Sequence, residues 1–139
     1  MKIKKLKTRK IISDITEEEV IKANSDHYNK SAKSYDEIVI NQKSHNRLRK
    51  SLEYSINQLS KFKRNIKALD ACGGTGNASF ILNEMGCDTY LVDLSQSMID
   101  NFKIFCKNKN ISIRSYKYEI KDFFLKDEIK FDLIIFSAA

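Results

Sequence analysis

Proline is absent from the chain and only four glycines occur in its 139 residues, so element boundaries have to be read from caps, periodicity and those few glycines. No apolar run approaches the length of a membrane span. The longest, FDLIIF, has the size of a buried strand. The basic start MKIKKLKTRK has no apolar segment behind it, which argues against a secretory signal. Cysteine is limited to Cys72, Cys87 and Cys106, an odd number without CxxC spacing. That pattern argues against a disulfide frame and a zinc site, and reduced thiols fit a cytoplasmic protein. No internal repeat is visible.

What is present describes one globular domain. The hydrophobic fraction of 42% and the charged fraction of 31% are those of a folded chain rather than a disordered one. The net charge of +7 invites a nucleic-acid reading, but six of the 25 basic residues fall in the first ten, where no acid occurs. Without those six, 19 basic residues face 18 acidic ones, a net of +1. The positive excess is thus a tail, expected over residues 1–12 and solvated. RNA, DNA or an anionic membrane surface are the partners such a tail could touch.

Residues 16–24, TEEEVIKAN, predict a short helix capped by Thr16, with Glu19 three positions on as in a capping box. A second helical piece is expected over 31–40. From 44 to 64, Leu48, Leu52, Ile56 and Leu59 form one apolar stripe of an amphipathic helix. A helical segment therefore spans 13–64. Strand and helix then alternate over 65–139. Strands are expected at IKALD, DTYLVD, ISIRSY and FDLIIF, with a helix at NASFILNEMG stopped by Gly86 and another at SQSMIDNFKIFCKNKN. The latter is capped by Ser95 or Ser97, with Met98, Phe102 and Phe105 on its inner face. EIKDFFLKDEIK has no clean period and reads as a loop or a short helix. This alternation predicts an α/β fold with a parallel sheet and crossover helices.

Gly73, Gly74 and Gly76 are three of the four glycines, and they follow the first strand and Asp70 directly. Ligands of such sheets sit beyond the carboxyl ends of the strands. Glycines there let a backbone approach a ligand, and the helix beginning near Asn77 is expected to turn its N–H groups toward the same space. Asp93, 19 residues after Gly74 at the end of the second strand, is placed to accept ribose hydroxyls. Asp70 decides the charge of the ligand. A carboxylate at the loop entrance repels a pyrophosphate and favours a cation such as the sulfonium and α-ammonium of S-adenosylmethionine.

ALDACGGTGNAS resembles the first motif of class I S-adenosylmethionine-dependent methyltransferases, D-x-G-x-G-x-G after a strand. LVDLSQSM is similar to their second motif, FDLIIFSAA to the segment forming strand four, and HYNKSAKSYDEI to the opening segment of small-molecule members such as those of quinone biosynthesis. The resemblance covers about residues 27–139. It implies a Rossmann-like, doubly wound parallel sheet whose first four strands run in the order 3-2-1-4. One position departs from the motif: Cys72 stands at its first glycine. A catalytic thiol is the sharp alternative there, and a small packing residue is preferred because no base is near in sequence.

Carried over by position, the resemblance implies that Asp70 holds the donor's amino group, partly through water. Ala71, Cys72, Gly74 and Gly76 would lie beneath its methionine part, and Asp93 would take the ribose. Leu94 and Met98 would flank the adenine, Glu119 would accept from its amino group, with Asp122 competing for that role, and the Ile120 N–H would reach a ring nitrogen. Tyr35 is a candidate lid, or an aromatic anchoring one helix on another, and Ser137 belongs to the strand-four lining. No metal is expected. His27 and His45 are the two histidines, both in the helical front, and neither is assigned a catalytic role.

The family fold continues past strand four with further helices and three more strands, whereas this chain stops at Ala139. The resemblance thus implies either a truncated protein or a partner chain that completes the sheet. Weak donor binding and poor turnover are expected of the 139 residues alone. The leading expectation is the donor-binding part of a methyltransferase acting on a small molecule. RNA or protein methylation guided by the tail, and a non-catalytic S-adenosylmethionine-binding module, are the alternatives. A dehydrogenase is disfavoured by Asp70.

Overall fold

The computed structural model describes residues 15–32, 42–126 and 128–136, for 42–44 the backbone only. The basic tail, most of the helix expected over 31–40, Tyr35 and Ser137 lie outside the described residues. The elements, in order, are α1 (Glu17–Ser31), α2 (Gln42–Leu59), β1 (Lys67–Ala71), α3 (Asn77–Glu84), β2 (Asp88–Asp93), α4 (Gln96–Lys109), β3 (Arg114–Lys117), α5 (Ile120–Lys126) and β4 (Leu133–Phe136). The strands form one parallel sheet in the order β3-β2-β1-β4, as expected.

Local chemistry sets most of the boundaries. Thr16 closes a capping box on α1: its hydroxyl accepts from the Glu19 N–H, and the Glu19 carboxylate accepts from the Thr16 N–H. The helix runs on to Ser31, seven residues beyond the expected end, without burying any residue of its own. Ser95 caps α4 by accepting from the Met98 N–H, and the helix stops at Asn110, which adopts a left-handed φ of 54°. β3 begins three residues later than the apolar pattern implied. Ile111 and Ile113 pack against the Leu91, Ile99 and Phe102 cluster on the approach, and ladder pairing starts only at Arg114 opposite Tyr90. The segment without a clean period supplies α5, whose Phe123 is fully buried.

The sheet has two unequal faces. On one, Leu52 and Ile56 of α2 and Ala78, Ile81 and Leu82 of α3 bury Ala68, with Leu133 and Ile135 packed alongside. On the other, Leu69, Ala71, Tyr90 and Val92 meet Phe123 of α5. Period-two alternation assigns each strand residue to its face. It also puts Ile134 and Phe136 of the edge strand on the second face, where they are 43% and 64% exposed. The buried strand residues are apolar apart from Thr89 and two acids, Asp70 and Asp93, both toward the carboxyl ends of adjacent strands. The site is built around these acids.

Candidate functional site

The turn from β1 into α3 is held by its own hydrogen bonds. The Gly73 N–H donates to the Val92 carbonyl (3.1 Å), the Gly76 N–H to the Gly73 carbonyl (2.9 Å), and the Gly74 N–H to Asp93 Oδ2 (2.8 Å). Gly73 has no room for a side chain, since a Cβ there would lie 2.8 Å from Asp70 Cγ and from Leu91 Cγ. Cys72, at the first glycine of the motif, has a φ of 58°, the left-handed region that costs an L-residue about 1–2 kcal/mol. Glycine gives back about 0.5–1 kcal/mol of this as chain entropy. Cys72→Gly is therefore expected to raise stability by about 0.5–1 kcal/mol, read as an upward shift of the urea midpoint at unchanged slope.

Asp70 is fully buried, and its Oδ2 accepts from both the N–H (3.0 Å) and the hydroxyl (2.7 Å) of Ser79 in the first turn of α3. The carboxylate thus caps a helix whose own N-cap residue, Gly76, offers no side chain. The resemblance gave Asp70 the donor's amino group, partly through water; with no exposed surface, its charge acts from beneath the loop. One correction follows: the α3 terminus is not turned outward at Ser79, because that N–H belongs to Asp70.

Asp93 bridges two segments. Its Oδ2 holds the Gly74 N–H, and its Oδ1 accepts from the Ser95 N–H at 2.8 Å, so the end of β2 is tied to the glycine turn and to the start of α4. Beside it opens a cavity of about 400 Å³ at the carboxyl ends of the strands. Four residues singled out in the sequence line it: Cys72, Leu94, Glu119 and Ile120. Ile120 is the first residue of α5, where helix geometry supplies no intrahelical acceptor for its N–H. Glu119 accepts from the Lys121 N–H at 2.9 Å and faces the cavity, whereas its competitor Asp122 is exposed in the first turn of α5 and does not line it. Ala71 and Met98 are fully buried and do not line it either.

Sequence reasoning missed the outer wall. Glu17, Val20, Ile21 and Asn24 of α1 and Tyr118 after β3 complete the lining. The capping box marked a helix but gave no sign of what it covers. Gly76 opens instead onto a second cavity of about 230 Å³, with His45, Asn77 and Phe80. There His45 Nδ1 lies 2.8 Å from Asn77 Oδ1.

The electrostatics of the first cavity are those of an acidic site. Burial pushes the Cys72 thiol above its ordinary value, and the carboxylates of Asp93, Asp70 and Glu119 push it further. A thiol shifted in that direction is a poorer nucleophile source, which disfavours the catalytic alternative. The neighbouring helix end does not lower it, because Asp70 already answers that end of α3.

Residues 68–139 match the methyltransferase domain family. The chain belongs to that family. No curated protein matches it by sequence. Among solved structures it is similar to an S-adenosylmethionine-dependent methyltransferase from Clostridium acetobutylicum ATCC 824, with 26% identity and a TM-score of 0.56, over 78% of this chain and 42% of that one. It also resembles magnesium protoporphyrin IX methyltransferase from Synechocystis PCC 6803, determined with bound SAH. That likeness, at 14% identity and a TM-score of 0.60 over 82% of this chain and 56% of that one, is one of fold. The methyltransferase domain described here thus spans roughly half the length of these relatives. Among the described residues, no helix is long and apolar enough to cross a membrane.

Proposed function

We propose that the cavity at the carboxyl ends of β1, β2 and β3 holds the adenosine part of S-adenosylmethionine, and that the protein methylates a small molecule. The observation that carries this reading is the setting of Asp93. Its carboxylate, though not itself in the cavity lining, is fixed by the Gly74 and Ser95 N–H groups next to Leu94 of the wall. Asp93, Asp70 and Glu119 together put a negative field on the Cys72 side of the cavity. An oriented carboxylate with lone pairs left over suits a pair of ribose hydroxyls. The negative field favours a sulfonium and opposes a diphosphate. The glycine turn adds to that discrimination, because the N–H groups of Gly73, Gly74 and Gly76 are spent within the protein and form no cradle for phosphate.

Within this reading Leu94 and Ile120 supply the apolar walls for the adenine, Glu119 accepts from its amino group, and the Ile120 N–H donates to a ring nitrogen. Asp70 acts by charge and by holding α3, and thereby the turn, in place. When bound, S-adenosylmethionine supplies a methyl group already activated by its sulfonium, so the protein's task is alignment and exclusion of water. The small-molecule acceptor is supported by the nearly neutral charge of the chain outside its first ten residues. The opening segment that resembles small-molecule methyltransferases supports it as well.

Calorimetric titration of the chain with S-adenosylmethionine, S-adenosylhomocysteine and NAD tests the reading. Saturable binding of the first two without detectable NAD binding is the expected result. Tight NAD binding with no response to S-adenosylmethionine would overturn it.

A further inference from the structure

We propose that α1 is a lid over this cavity and that Asn29 is the positioning residue that latches it, by capping α4 from outside and fixing Ser95 and, through it, Asp93. The proposal rests on the donor-binding reading above for its consequence, though not for its geometry.

Burial does little to hold α1 down. The helix supplies Glu17, Val20, Ile21 and Asn24 to the cavity wall, yet it buries none of its residues, and Val20 is 46% exposed. Apolar burial therefore contributes little to its docking. At its N-terminal end a fully solvated ion pair joins Glu17 to Lys121 at 3.2 Å, and such pairs are worth little.

Its C-terminal end is attached by directional bonds. Asn29 Oδ1 accepts from the Ser95 hydroxyl at 2.6 Å and from the Ser97 N–H at 3.3 Å. Asn101 Nδ2 donates to the Ala32 carbonyl at 3.1 Å. Ser97 and Met98 occupy the second and third positions of α4, where N–H groups have no partner within the helix. The Met98 N–H is answered by the Ser95 hydroxyl and the Ser97 N–H by Asn29, so α4 carries one cap of its own and one borrowed from α1.

The fully buried Ser95 links the two ends of the chain of bonds. Its hydroxyl has one proton to give, and Asn29 takes it; its N–H goes to Asp93 Oδ1, while Asp93 Oδ2 holds Gly74. A continuous path thus runs from the lid through Asn29, Ser95 and Asp93 to the glycine turn. Undocking α1 removes the cavity's outer wall and loosens the group proposed to hold the ribose. A helix that docks through polar bonds rather than through buried apolar residues of its own opens at small free-energy cost, as a lid must.

Amide hydrogen exchange of α1 reports closure without any ligand, because an undocked helix of 15 residues is marginal in water, and the amides of β1 and β2 are internal controls for unfolding. The Cys72 thiol is no such reporter, being exposed with α1 docked. In Asn29→Ala the α1 amides are expected to exchange about three-fold or more faster, with those of β1 and β2 unchanged. Asn29→Asp keeps an acceptor for both bonds at a helix N-terminus and is expected to exchange like the parent. Asn101→Ala releases the Ala32 carbonyl and is expected to speed α1 exchange to a smaller extent. It serves as the arbiter if Asn29→Ala speeds exchange throughout the sheet. Unchanged α1 exchange in both alanine variants overturns the lid. Donor affinity is expected to fall about five-fold in Asn29→Ala, the worth of one net hydrogen bond, and to be retained in Asn29→Asp. If the parent chain does not bind the donor, the functional reading fails, while the exchange rates still decide whether α1 is a latched lid.

Discussion

Asp93→Ala is expected to reduce affinity for S-adenosylmethionine by about 100-fold or more, and to destabilise the fold by about 2–5 kcal/mol. The stability loss follows from what the carboxylate does without any ligand. Asp93 is only 9% exposed, and each of its oxygens accepts a backbone N–H, from Gly74 and from Ser95, at 2.8 Å. Alanine leaves both donors without this acceptor, and a buried donor left so costs about 1–3 kcal/mol. The affinity loss has two sources, the missing acceptor for the ribose hydroxyls and the freed glycine turn. Urea unfolding and calorimetric titration read them separately. Asp93→Asn keeps one acceptor oxygen but places an amide N–H against one of the two donors, so it is expected to fall between the parent and alanine in both measurements. Donor binding unchanged in Asp93→Ala would remove the proposed role.

Gly76→Ala has the second large effect, expected at about 2–5 kcal/mol of lost stability. Gly76 has a φ of 88°, and a Cβ there would stand 2.2 Å from two ring carbons of Phe102. Phe102 is fully buried in the cluster with Leu91, Ile99 and Cys106, so its ring cannot swing into solvent. Positive φ accounts for about 1–2 kcal/mol and forced overpacking for about 1–3 kcal/mol. Against a typical domain stability of about 5–15 kcal/mol, that loss leaves a much weakened fold. Gly86→Ala isolates the two contributions. Gly86 has nearly the same φ, 82°, but a methyl added there would meet nothing within 4 Å, so only the backbone cost of about 1–2 kcal/mol is expected. Equal losses in the two variants would show that Phe102 gives way.

The two glycines illustrate what a sequence conceals. That Gly76 follows a strand and precedes a helix is legible from the string itself, and so is its demand for a permissive backbone. That Phe102, 26 positions on, lies beneath it is decided by how α4 packs on the turn. Cys72 shows the same division: its departure from the glycine pattern was visible, but its left-handed φ and the three carboxylates that raise its thiol pKa were not.

Asp70 shows what side-chain direction adds. Its place behind the glycines suggested a hold on the donor's amino group, partly through water, and the backbone rise of β1 does bring it to the expected end of the sheet. Side-chain direction, however, alternates along a strand, and at Asp70 it points under α3, to Ser79, nine residues ahead. The consequence for ligand charge survives by a different route. A carboxylate under the loop and N–H groups consumed within it both disfavour phosphate.

The parallel sheet and the end of it at which chemistry is possible were legible in the string of residues. They follow from strand–helix alternation, glycine and capping residues, signals that act over one element and its neighbour, whereas the strand order was implied only by the resemblance to the methyltransferase motifs. That α1 walls the cavity, that Asn29 bonds to Ser95, 66 residues away, and that Met98 is fully buried emerged only from the folded chain. Contacts of that kind depend on how whole elements dock. A polar residue on an amphipathic helix carries no mark of the partner it will meet.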